Sequence, residues 1–135
     1  MEFQQFERLM TEVGPASDLV TSIVRYDEQA YEFCCGPEDV LVLCELDEQA
    51  ECLTLKASLG TPPAEQTLRI YDLMLTITGQ SHRTGGLRMG IDEVGGDVYQ
   101  LTDLPAAGLD VFRFQAALTE FVGRVQRGRV LVMTA

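Results

Sequence analysis

The sequence predicts an α+β domain: a mostly antiparallel twisted sheet with helices, in the order helix, three strands, helix, two strands, helix. Two observations carry this. Apolar residues recur at helical spacing in three stretches and follow strand-like patterns in five others. The strand-like stretches are joined mainly by short, turn-rich segments, which force antiparallel pairing. A chain of 135 residues has room for one core and not for two, so residues 1–135 are expected to form a single domain.

The opening helix follows from Phe3, Phe6, Met10 and Val13, with Gln4, Gln5, Glu7 and Arg8 between them. Gly14-Pro15 should stop it after about three turns. Residues 15–30 are mixed: LVTSIVRY suits an extended chain and DEQ suits a turn. Three strands follow. YEFCC (31–35) ends at Gly36-Pro37, DVLVLCEL (39–46) at DEQA, and ECLTLKASL (51–59) at Gly60 and Pro62-Pro63.

Tight turns at Glu48-Gln49 and Gly36-Pro37 set Val42 against Leu55, Val40 against Ala57 and Phe33 against Val40. Tyr31, Phe33, Val40, Val42, Cys44, Leu53, Leu55 and Ala57 then share a core face. The opposite face carries Glu32, Thr54 and Lys56, as solvent requires, but also Cys34, Leu41 and Leu43. Either another element covers these, or they form an exposed patch that receives a partner.

PPAEQTLRIYDLMLTITG (62–79) is the second helix, with proline at its start and Gly79 at its end. Leu68, Ile70, Tyr71, Leu73, Met74, Leu75 and Ile77 leave it almost no polar face, and a helix apolar all round is buried all round. A homodimer through this helix is expected; the alternative is a helix sandwiched inside a monomer. After the loop SHRTGG, LRMGID and VYQLTDLP form two strands, with Met89 set against Leu101 and Ile91 against Tyr99. The last helix starts near Gly108-Leu109-Asp110, buries Val111, Phe114, Leu118, Phe121 and Val125, and should stop around Gly128. RVLVMTA is then a tail or an extra strand.

Charge narrows the function. A net charge of −11 repels phosphate backbones and anionic membrane surfaces, so nucleic acid and membrane are not expected partners. No apolar run approaches the ~20 residues of a membrane span. MEFQQFERLM lacks the basic start and apolar run of a signal peptide, so a cytosolic protein is expected. Cys34, Cys35, Cys44 and Cys52 contain no Cys-x-x-Cys pair and read as small buried apolar residues.

Signals of chemistry are weak. His82 lies in a polar loop, with the cysteines in strand interiors. Arg83 and Arg88 in RTGGLR suit an anion clamp but equally a solvated loop. GIDEVGGDVYQL carries Asp92, Glu93 and Asp97 around Gly95-Gly96. Its acids fall at positions 1, 2 and 6 of DEVGGD, unlike the alternating ligands of a calcium loop, so a structural turn is expected. No catalytic residue, metal ligand or cofactor-binding residue is assigned.

Five pieces in this order resemble the class I chaperones of type III secretion, the Tir-chaperone-like family: FERLMTEVG, YDEQAYEF, LTLKASLGTPPAE, LRMGIDEVGGDVYQLTDLP and LDVFRFQAALTEFVGRV. The likeness spans nearly the whole chain. Two features depart from it: a long 15–30 connection, and Thr78-Gly79 where relatives often carry Asn. The resemblance implies a bacterial cytosolic homodimer, not an enzyme, that binds the N-terminal chaperone-binding segment of a secreted effector in extended form. It implies no ATP, metal or other cofactor. For effector binding the expected residues are Phe3, Phe6 and Met10 on the first helix, the alternative being that these merely close the core, and Cys34, Leu41 and Leu43 on the outer sheet face. For the dimer interface they are Leu68, Tyr71, Met74, Leu75, Ile77, Leu87, Met89 and Ile91. A small acidic immunity or inhibitor protein that blocks a toxin or enzyme is the competing reading.

Overall fold

The computed structural model describes residues 1–84 and 86–134. Gly85 of the SHRTGG loop and the terminal Ala135 lie outside the described residues. The elements are α1 (Phe3–Ala16), β1 (Val20–Asp27), β2 (Ala30–Cys35), β3 (Val40–Asp47), β4 (Cys52–Gly60), α2 (Thr67–Gly79), β5 (Arg88–Ile91), β6 (Val98–Pro105) and α3 (Val111–Thr134). A short 3-10 turn, Ala64–Gln66, leads into α2. The strands form one six-stranded sheet in the order β1-β2-β3-β4-β6-β5, with every neighbouring pair antiparallel. LVTSIVRY, which suited an extended chain, is the edge strand β1, and it makes the sheet one strand wider than expected.

The predicted core face is the buried one: Tyr31, Phe33, Val40, Val42, Cys44, Leu53, Leu55 and Ala57 are all buried. The pairing, however, is displaced by two residues. Phe33 faces Val42, and Cys44 faces Leu55. The connections are four residues long, 36–39 and 48–51, because Cys35 pairs with Val40 and Asp47 with Cys52. Each ends on a residue in the left-handed region, Asp39 (φ 52) and Glu51 (φ 51). Asp47 Oδ1 accepts the Ala50 N–H at 3.0 Å and so holds the second turn. A slip of two keeps every side chain on its own face, so the face assignment survives a wrong register.

The β5–β6 register differs by one residue, and here the faces do change. Met89 lies opposite Gln100 and Ile91 opposite Val98, whereas Leu101 lies opposite Arg88. Along β6 the inward residues are Val98, Gln100 and Thr102, all buried. Tyr99 and Leu101 therefore join the outer face. Two polar residues in the inward set disguised the pattern.

Helices α1 and α3 pack on the inner face. The Phe6 ring meets Tyr31 edge-on at 5.5 Å, and Phe33 lies 5.8 Å from Phe114. Phe6, Met10 and Val13 are fully buried in this core with Phe114, Leu118 and Val125. The helix α3 starts where expected: Asp110 Oδ1 accepts the Arg113 N–H at 2.8 Å, as an N-cap side chain does. It does not stop at Gly128 but continues to Thr134, carrying Val132 into the core. Gly128 marks a close approach instead. A Cβ there would stand 3.0 Å from Leu59 on β4.

Candidate protein-binding site

Among the described residues, α1, α2 and α3 lie on the inner side of the sheet and no element covers its outer face. Its side chains follow from the register. One row across the strands reads Val24, Glu32, Leu43, Lys56, Leu101, Arg88. Cys34 pairs with Leu41 in the next row, and Tyr99 with Gly90. Leu41 is 50% exposed, Val24 and Tyr26 are similarly open, and Leu43, Cys34, Tyr99 and Leu101 are half-buried. Apolar exposure of this kind on a sheet face makes it a candidate surface for another chain.

The polar groups of this face are unevenly arranged. Lys56 Nζ pairs with Asp92 Oδ1 at 3.3 Å and lies 4.3 Å from the Tyr99 ring centroid. Arg88 pairs with Asp103 at 2.7 Å, and Thr54 donates to the same carboxylate at 2.9 Å. Both cations sit on the β4–β5 half. On the β1–β3 half, Tyr26 donates its hydroxyl to Glu32 at 2.9 Å. That bond to a carboxylate pushes the Tyr26 pKa up. Arg25 is not on this face: it pairs with Glu7 and stacks over the Phe3 and Tyr31 rings.

The residues expected to bind effector fall at two sites, the outer sheet face and the first helix. Cys34, Leu41 and Leu43 lie on the outer face, with the Cys34 thiol 3.7 Å from Asp39 Oδ1. Phe3 is half-buried under the Arg25 guanidinium, at 5.5 Å. Phe6 and Met10 are wholly inside the core, the alternative open for them, because the inward stripe of α1 closes the sheet. Val24, Tyr26, Tyr99 and Leu101 also lie on the outer face, where the sequence did not place them. For the first two, the spacing of two in LVTSIVRY was the available signal.

A second apolar surface lies on α2. Ile70 and Met74 face inward, but Leu68 is 81% and Leu75 73% exposed, so a helix sandwiched inside one chain is excluded. Tyr71 is half-buried, and its hydroxyl accepts the Gly95 N–H at 3.2 Å. Thr78 Oγ1 accepts the Met89 N–H at 3.0 Å, tying α2 to the sheet edge. A cleft of about 270 Å³ beside it is lined by Ile77, Leu87, Met89 and Leu131 among others. Of the residues expected at a dimer interface, Met74 is buried within its own chain's core. Met89 and Ile91 are half-buried and pack against that core from β5.

The GIDEVGGDVYQL turn has structural partners. Asp97 accepts from Ser58 at 2.8 Å and Thr61 at 2.6 Å, which holds its carboxyl below the usual range. Asp92 takes the Lys56 ammonium, and Gly95 has φ 83, a conformation that favours glycine. Burial pushes the Cys35 thiol up to about 12 and raises that of Cys44 still further, so both stay protonated at neutral pH. His82 is exposed in its turn.

A sheet backed by helices on one face and bare on the other, with a second apolar stripe on a flanking helix, is the architecture of a candidate protein-binding domain. The chain belongs to the Tir chaperone protein (CesT) family, whose model matches residues 10–129. Among solved structures, the ExsC–ExsE complex contains a chain similar over 98% of this one and 97% of its own length, with 24% identity and a TM-score of 0.78. The HopA1–SchA chaperone–effector complex matches over 94% of each chain, with 14% identity and a TM-score of 0.73. The Yersinia pestis type III secretion chaperone SycH, in complex with a stable fragment of YscM2, gives 16% identity and a TM-score of 0.63 over 93% of this chain and 98% of that one. Among curated proteins no match was found. No helix of the described residues is long and apolar enough to cross a membrane.

Proposed function

We propose that the protein is a chaperone of type III secretion that binds an N-terminal segment of a secreted effector in the bacterial cytosol, keeping it soluble and secretion-competent. Its role is binding and not catalysis, and the whole chain acts as one domain. The observation that carries this reading is the bare apolar sheet face in a member of a chaperone family. The neighbouring folds come from a chaperone–effector complex and from a secretion chaperone held with a protein fragment.

The segment binds in extended form over Cys34, Leu41 and Leu43, joined by Val24 and Tyr26. An extended chain suits a flat sheet face because alternate side chains all point down onto it. Ordering a flexible segment costs free energy, which a large contact surface must offset. The protein works as a homodimer through the exposed side of α2, Leu68, Tyr71 and Leu75, with Ile77, Leu87, Met89 and Ile91 beside it.

Limited proteolysis of the complex isolated from native cells, followed by mass spectrometry, tests this. The expected protected fragment is an N-terminal segment of the partner. Recovery of an intact catalytic domain, with no N-terminal segment protected, overturns the reading in favour of an inhibitor.

A further inference from the structure

The β1–β3 half of the outer face has an unbalanced charge pattern. It presents Val24, Tyr26, Leu41 and Leu43 together with several carboxylates, among them Glu32 and Glu45 beside Leu43 and Asp47 at the end of β3. Glu32 lies opposite Leu43, and Glu45 follows Leu43 by two residues on the same face. The glutamates are therefore diagonal neighbours, roughly 7–8 Å apart. Among the described residues, neither has a cation within ion-pair distance. The two cations of this face are held by Asp92 and Asp103 on its other half. Covering these carboxylates with a purely apolar chain would strand them from water without a cation, leaving only the Tyr26 hydroxyl on Glu32.

We propose that the segment docking here carries a lysine or arginine with an apolar residue two positions away on each side. The basic side chain lies between Glu32 and Glu45, and its apolar neighbours lie on Leu41, Leu43 and Val24. In an extended chain residues i and i+2 project to one side, so one strand supplies both contacts. This inference rests on the outer face being the docking face.

Two synthetic 12-residue peptides test it, with identical apolar positions and either lysine or glutamine between them. Binding is read by fluorescence anisotropy at low and high salt. The lysine peptide is expected to bind roughly three- to tenfold tighter at low salt, with the advantage shrinking at high salt. Glu32→Gln/Glu45→Gln is expected to erase that preference, whereas Glu12→Gln/Glu48→Gln, of equal charge change, keeps it. Equal binding of the two peptides, no binding of the lysine peptide, or equal losses in both double variants overturns the proposal. Leu43→Asp separates the premises. It is expected to abolish binding of both peptides, and unchanged binding removes the docking face itself.

Discussion

Asp97 sits between two hydroxyl donors, and each stabilises the charged form of its carboxyl. Its pKa is lowered, first by Thr61 and then by Ser58. The stability this adds is fully present above the ordinary carboxylate pKa and is lost as pH falls through the lowered one. Thr61→Val keeps the shape and removes the first donor. The Asp97 pKa, followed by NMR, is expected to rise, with wild-type and variant stabilities converging in acid; an unmoved pKa refutes the assignment. Two glycines of α3 make a sharper pair. Gly128→Leu drives a side chain into Leu59, already 3.0 Å from the Cβ position, and should cost about 1–3 kcal/mol. At Gly123 the nearest atom to that position is the flexible end of Arg127, at 3.5 Å, so Gly123→Ala should stabilise by roughly 0.5–1 kcal/mol through helix propensity. Denaturant unfolding measures both. Sequence reasoning took Gly128 for a helix stop because a close approach between α3 and β4 leaves no trace in local pattern.

The helix α2 carries the clearest conflict between one chain and its surroundings. Ile70 and Met74 bury one side, while Leu68 and Leu75, seven residues apart, stand in solvent. Substituting aspartate on each side should give different failures. Met74→Asp places an unpaired charge in the core and is expected to unfold the chain. Leu75→Asp is expected to yield a folded monomer, seen as native circular dichroism with half the mass by light scattering. A Leu75→Asp dimer moves the interface elsewhere. That α2 is apolar all round was legible in TLRIYDLMLTITG; which side met its own core was not, because that depends on where the strand after it docks. Strands β2 to β4 were legible by face even with the pairing displaced, since a slip of two preserves faces. The β5–β6 pair was not, because inward Gln100 and Thr102 broke the alternation that Leu101 and Tyr99 imitated. For α1 the apolar stripe Phe6, Met10, Val13 was legible, but whether Phe6 and Met10 close the core or meet a partner was not, because local pattern does not say which sheet face a helix covers.

For the whole molecule, folding and association are linked. A single chain leaves the Leu68–Leu75 stripe of α2 and the cleft lined by Leu87 and Met89 open to water. If a second copy covers them, the native state is a dimer and its unfolding produces two chains, so apparent stability depends on concentration by mass action. A tenfold increase in protein then stabilises the dimer by about 1.4 kcal/mol. Spread over the unfolding entropy of two 135-residue chains, that raises Tm by about 2–3 °C. Calorimetry at three concentrations spanning two decades reads this directly. Wild-type Tm is expected to climb at that rate, and Leu75→Asp to melt at one concentration-independent temperature. The outer sheet face offers the contrast: Leu43→Asp lies away from α2 and should leave the concentration dependence intact while removing cargo binding. A wild-type Tm indifferent to concentration would mean that the α2 stripe is not buried by a second copy.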